Sequence, residues 1–141
     1  MAYDVMEVCE YIISYENAHG RSVNNLRLPK LLYFIQAQFL VVKGEVCFNN
    51  PIVAWDFGPV VEEAYMKYRV YGASIIPPNK TCASIDREDR RLIDSVLEQC
   101  ALYSNVELVN IVHNQDPWID AFNRKFDRTI SVKAIKDYFS E

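Results

Sequence analysis

Apolar residues recur at helical spacing along most of the chain. Asp4 and Glu7 form a D-x-x-E capping pattern, and Val5, Val8, Cys9, Ile12 and Ile13 then place a first helix over 5–18, with Gly20 beyond it. Asn24 and Asn25 are N-cap candidates for a second helix, and Leu28, Leu31, Leu32, Ile35, Phe39 and Leu40 mark its buried face. Pro29 falls in or just past its first turn, where a missing N–H costs least, and Gly44 ends it. This is the most apolar helix of the chain and is expected at its centre. The pattern then changes. Val46-Cys47-Phe48 and Ile52 to Trp55 are short extended runs separated by Asn49-Asn50-Pro51, which predicts a small hairpin near 46–55. Gly58-Pro59 is expected to open a third helix with proline at its first position, burying Val60, Val61, Ala64, Tyr65 and Tyr68 and stopping at Gly72.

Residues 73–85, with Pro77-Pro78, Asn79 and Ser84, read as a loop in which Ile75 and Ile76 add a short extended piece. Asp86 is expected to cap a fourth helix with Leu92, Ile93, Val96, Leu97 and Cys100 as its stripe. The run Arg87-Glu88-Asp89-Arg90-Arg91 reads as a solvated face with i,i+3 and i,i+4 pairs. Ser104 and Glu107 form a capping box for a fifth helix, which buries Leu108, Val109 and Val112. Asp116-Pro117-Trp118 starts a sixth, with Asp116 as cap, and Ser131 caps a last one holding Val132, Ile135, Tyr138 and Phe139. The expected fold is mainly α, a single compact domain over 1–141 of six to seven helices with a few short β-strands. No internal repeat or linker interrupts it.

Composition narrows the function. The four glycines, Gly20, Gly44, Gly58 and Gly72, are nowhere closer than fourteen positions, so no glycine-rich phosphate loop exists. The net charge is −4; residues 1–70 carry six basic and eight acidic groups and 71–141 carry nine and eleven, so each half is −2 and neither is a basic nucleic-acid-binding unit. Cys9, Cys47, Cys82 and Cys100 include no C-x-x-C pair, and the only histidines are His19 and His113, which argues against a zinc site. The first residues lack a basic, apolar leader pattern, and no apolar run approaches a membrane span. These features imply a reduced, soluble, cytoplasmic protein with no cofactor, no metal and no membrane association.

Candidate chemistry is sparse. His113 and Asp116 form the one His/Asp pair fit for acid–base work; the simpler reading is a helix cap and a histidine at a helix C-terminus. Lys30, on the apolar second helix, either contacts a partner, pairs with a buried carboxylate, or covers apolar surface with its stem while its amine reaches water. Trp55 and Trp118 are either core residues or interface anchors. Tyr11, Tyr15, Tyr68, Tyr71 and Tyr103 cannot all be buried with satisfied hydroxyls, and a tyrosine-rich surface suits protein recognition.

Three segments taken together resemble a known family. They are Asn25-Leu26-Arg27-Leu28-Pro29-Lys30-Leu31-Leu32-Tyr33-Phe34 with Gln36, then Ala54-Trp55-Asp56-Phe57-Gly58-Pro59-Val60-Val61, then Asp116-Pro117-Trp118. Their order and spacing resemble the Panacea domain, the family of SocA-like antitoxins and GepA-like phage-associated proteins, over nearly the whole chain from Val5 to Tyr138. Pro29 departs from the usual glutamine and Arg27 from lysine. The resemblance implies a mainly helical, non-enzymatic domain that neutralises a cognate protein toxin by direct binding, or delivers it to a protease. It implies no direct nucleic-acid contact, and leaves self-association open. The alternatives are a phage or mobile-element adaptor for host proteins, and a small-molecule enzyme using His113, Asp116 and Lys30. The residues carried by the motifs or offered to a partner are Lys30, Tyr33, Gln36, Trp55, Gly58, Pro59, Val60, Tyr65, His113, Asp116, Pro117 and Trp118.

Overall fold

Capping chemistry and apolar periodicity set the helices of the computed structural model, which describes residues 2–78 and 84–140. Along the chain these are α1 (Val5–Ala18), α2 (Arg27–Lys43), β1 (Ile52–Trp55), β2 (Gly58–Val60), α3 (Glu62–Tyr68) with a following 3-10 turn, α4 (Arg87–Cys100), α5 (Asn105–His113), α6 (Asp116–Phe122), β3 (Thr129–Ile130) and α7 (Val132–Phe139). The Asp4 side chain accepts from Met6 N, Ser131 accepts from Ala134 N, and Ser104 with Glu107 closes a reciprocal capping box on α5. Cys82 and residues 79–81 and 83 of the expected 73–85 loop lie outside the described residues.

α2 is the central element, as its composition predicts. It packs against α4, α5, α7 and β2, and it is buried around its circumference from Arg27 to Tyr33. Asn24 Oδ1 accepts from the main-chain N–H groups of Leu26 and Arg27, so this asparagine supplies the N-terminal cap. At the other end Gly44, in the left-handed conformation, returns its N–H to the Leu40 carbonyl. Arg27 is buried and places its guanidinium on the end of α4. Its Nη2 donates to the Cys100 carbonyl at 2.7 Å, and its Nη1 donates to the Tyr103 carbonyl and to Asn105 Oδ1. A cation on the carbonyl end of a helix meets both its unpaired acceptors and its dipole.

Two sequence expectations are corrected in the middle of the chain. The hairpin exists, but β1 pairs with β2 rather than with 46–48: Val53 faces Val60 and Trp55 faces Gly58 across a two-residue Asp56-Phe57 turn. β3 adds on the other edge, giving the order β2-β1-β3, with Ile52 opposite Ile130. The 46–48 run is held differently. Gln36, buried on α2, accepts from Cys47 N and Phe48 N and donates to the Phe48 carbonyl, while Tyr3 N donates to the Cys47 carbonyl. With much of its main chain met by the Gln36 side chain, the run forms only an isolated parallel bridge to Tyr3. The second correction is Gly58-Pro59, which forms strand instead of opening a helix. Gly58 has φ +126°, outside the helical region, and an edge strand is where proline is tolerated. Val60 is therefore a core strand residue, and α3 begins two residues later.

Smaller differences follow from tertiary contacts. Gln115 rather than Asp116 precedes α6, so Asp116 lies in its first turn; the Asp86 side chain makes no capping bond to α4. The charged run opening α4 is not wholly solvated, since Asp89 is buried against Lys43 and Tyr3. Cys9, Cys47 and Cys100 are buried free thiols; burial pushes Cys47 up to about 12 and Cys100 to about 11, which makes both unreactive.

Candidate functional site

The three sequence segments converge on one corner of the molecule. The β1–β2 turn lies against the start of α2 on one side and the α5–α6 junction on the other. Trp118 Nε1 donates to the Trp55 carbonyl at 2.8 Å, and His113 Nε2 lies 2.7 Å from the Asp56 carbonyl oxygen. A carbonyl only accepts, so Nε2 carries a proton in this contact. The His113 and Trp118 rings stack at 4.2 Å, and Trp118 stacks on Phe122 at 4.6 Å. Together these side chains clamp the main chain of the turn. Asp116, exposed in the first turn of α6, forms no hydrogen bond with His113 among the described residues. The acid–base pair suggested by their spacing is therefore not assembled.

On the other side of the turn the rings of Trp55, Phe57 and Tyr65 form a cluster, with Trp55 and Tyr65 at 4.9 Å and Phe57 within 6 Å of both. All three are half-buried. Lys30 lies beneath them. It is only 1% exposed, and its Nζ donates to the Leu26 carbonyl at 2.9 Å and sits 5.1 Å from the Phe57 ring centre. The amine neither reaches water nor meets a carboxylate, which differs from every expectation for a structural lysine. Burial lowers its pKa to about 8, with no neighbouring charge offsetting the effect. At neutral pH it remains largely an ammonium with one of its three donors used.

Gly58 explains how the lysine fits. A Cβ at this position would lie 3.1 Å from Lys30 Cε and 3.2 Å from Val112 Cγ2. The glycine thus gives both the positive φ of the strand and the close approach of turn, lysine and α5. The remaining motif residues build the support. Tyr33 is fully buried and donates its hydroxyl to Gln115 Oε1 at 2.8 Å, which ties α2 to the residue before α6. Gln36 holds the 46–48 segment as described, and Pro59, Val60 and Pro117 are buried. Of the twelve motif residues, Trp55, Tyr65, His113 and Trp118 are half-buried and Asp116 is exposed.

Three residues outside the candidate site set complete this corner. Phe57 covers Lys30. Asn25 donates its amide to the Tyr65 carbonyl, and its Oδ1 is the one buried side-chain oxygen or nitrogen without a partner among the described residues. Arg69 borders the same corner. Asn25 and Phe57 were legible as members of the matched segments, and Asn25 also as a capping candidate, but the orphan oxygen and the place of Arg69 have no sequence signal.

This helical domain, with its clamped aromatic turn, matches a family known from sequence. The description "Antitoxin SocA-like, Panacea domain" fits residues 28–119, and the chain belongs to that family. Among curated proteins it is similar to Antitoxin SocA of Caulobacter vibrioides (strain NA1000 / CB15N), with 36% identity over 73 residues. That match takes in 52% of this chain and 39% of the relative's length. No solved structure matches. Among the described residues no helix is long and apolar enough to cross a membrane, and no three His, Cys, Asp or Glu side chains gather as a metal site.

Proposed function

We propose that the protein is an antitoxin that neutralises a cognate protein toxin by binding it directly, with the face around the Trp55–Pro59 turn as the contact surface. Family membership carries the antitoxin role. The half-exposed rings of Trp55, Phe57 and Tyr65 support the choice of surface, because aromatic side chains held rigidly by a clamped turn are typical binding anchors. Trp118 and His113 hold the turn from behind, so their role in this reading is positioning. The test is co-expression of the adjacent open reading frame with and without this protein. Growth arrest by the neighbour alone, relieved by this chain and accompanied by a stable complex on size exclusion, is the expected result. A neighbour that is harmless alone, or still toxic beside this protein, would remove the proposal. Tyr65→Glu, at a half-buried ring edge, is expected to weaken the complex while leaving the melting transition in place.

A further inference from the structure

A surface cleft of about 270 Å³ opens beside the aromatic turn, between the start of α2 and the end of α3. Its wall includes Asn25, Leu26, Phe57, Tyr65 and Arg69 and contains no aspartate or glutamate, although the chain as a whole carries a charge of −4. Two cations serve it. Arg69 stands at the rim, where its one polar contact among the described residues is a long one to Met66 Sδ at 3.6 Å. Lys30 lies one layer below, bonded to the Leu26 carbonyl and covered by Phe57, both residues of the wall. Among the described residues neither cation forms a salt bridge, and no carboxylate of the cleft wall offsets either charge. The third feature is the buried Asn25 Oδ1, an acceptor with no donor. Buried polar atoms are rarely left unpaired, and those that are call for an explanation.

These features describe one kind of ligand. An anionic group suits Arg69 at the rim and the field of the Lys30 ammonium beneath the floor. A main-chain N–H suits the Asn25 oxygen, and an apolar side chain suits the rings of Phe57 and Tyr65. We propose that this cleft binds an acidic peptide segment of the protein partner, with its aspartate or glutamate carboxylate placed between Arg69 and the Lys30 field. This deepens the antitoxin reading and rests on it for the identity of the partner. A carboxylate near a cation in a partly dry site gains a charge-assisted interaction that water screens only weakly. The same site rejects a basic segment, because it has one cation at its rim, another beneath its floor and no acid in its wall.

The experiment selects a phage-displayed library of random peptides on the full-length chain, then measures each enriched peptide by calorimetry. Enriched sequences are expected to share an acidic residue next to an apolar one. Replacing that acid by its amide should weaken binding by about tenfold or more. Arg69→Glu, at an exposed position, should do the same without changing the melting curve. Lys30→Met should erase the preference for acid over amide; if that variant fails to fold, the Arg69 variant alone decides. Enriched peptides lacking an acid, binding that Arg69→Glu leaves unchanged, or no enrichment at all would overturn the proposal. The co-expression test reads separately. Neutralisation that survives Arg69→Glu sinks the cleft and leaves the antitoxin role standing, while acid-selective peptide binding beside a harmless neighbour does the reverse.

Discussion

The seam between α1 and α4 and the corner around Lys30 use polar groups in opposite ways. In the seam the carboxylates of Asp89, Asp94 and Glu98 all have partners. Tyr3, Tyr11 and Tyr15 donate their hydroxyls to Asp89, Asp94 and Glu98, so phenols on and just before α1 meet carboxylates along α4. Lys43 pairs with Asp89 at 2.6 Å, and Arg21 joins Glu98 to the buried Glu16. At the corner, among the described residues, a buried ammonium and a rim guanidinium have no carboxylate partner, and a buried amide oxygen has no donor. Both regions lie on the same apolar core. A buried charge without a partner is a standing cost to folding, so saturated pairing suits an interface that only holds the fold together. Unsaturated pairing suits a surface whose remaining partner arrives from outside.

Four measurements bear on this contrast, from the largest expected effect to the smallest. Gly58→Ala puts a side chain at φ +126° and against Lys30 and Val112, and is expected to destabilise the fold by roughly 2–5 kcal/mol in denaturant titrations. A variant as stable as the parent would show that the corner is looser than its distances imply. The pH response comes next. Lys30 holds its proton to about pH 8 in the folded chain and to its ordinary 10.5 when unfolded. Between those values the unfolded chain binds more protons, so stability rises with pH; below 8 the full cost of the buried charge is present. Relative to Lys30→Met, the wild type should therefore gain up to about 3 kcal/mol on going from pH 7 to pH 10. A pH-independent difference would mean that the amine is solvated. The seam responds at the other end of the scale. Burial opposes ionisation of Asp89, but hydrogen bonds from Lys43 and Tyr3 outweigh it and hold the carboxyl below its ordinary range. Its contribution is present above that range and is lost as pH falls through the lowered value.

A double-mutant cycle of Tyr11→Phe and Asp94→Asn should give a coupling of about 1 kcal/mol, as expected for a hydrogen bond to a partly exposed carboxylate. Zero coupling would remove the seam as the saturated half of the comparison. The smallest effect is expected at Lys133–Asp137, a solvent-exposed i,i+4 pair on α7. Lys133→Ala should leave the melting temperature unchanged within error, since such pairs contribute little. A clear loss there would show that pairing as such, rather than burial, matters in this chain.

The helices were legible because their signals are local. Ser104 and Glu107, Ser131, and the stripe from Leu28 to Leu40 each announce themselves within a few residues, and each performs as the spacing predicts. The strands were less legible. Val46-Cys47-Phe48 has the composition of a strand, but its main-chain partners are Gln36 and Tyr3, one a side chain and the other far off in sequence. Gly58-Pro59 carries the signature of a helix start, and pairing with β1 overrides it.

The candidate site divides along the same line. The amino-acid sequence by itself determined the helical class, the absence of phosphate loops, the central place of α2 and the three segments that carry the family resemblance. Each depends on residue type and short-range order, which the chain states directly. Only the tertiary structure decided that Lys30 is buried without a carboxylate among the described residues, that Gly58 makes room for it, that His113 and Trp118 contact the carbonyls of the β1–β2 turn, and that Asn25 keeps an unpaired oxygen. Solvation and pairing are properties of what surrounds a side chain, and those surroundings come from residues tens of positions away.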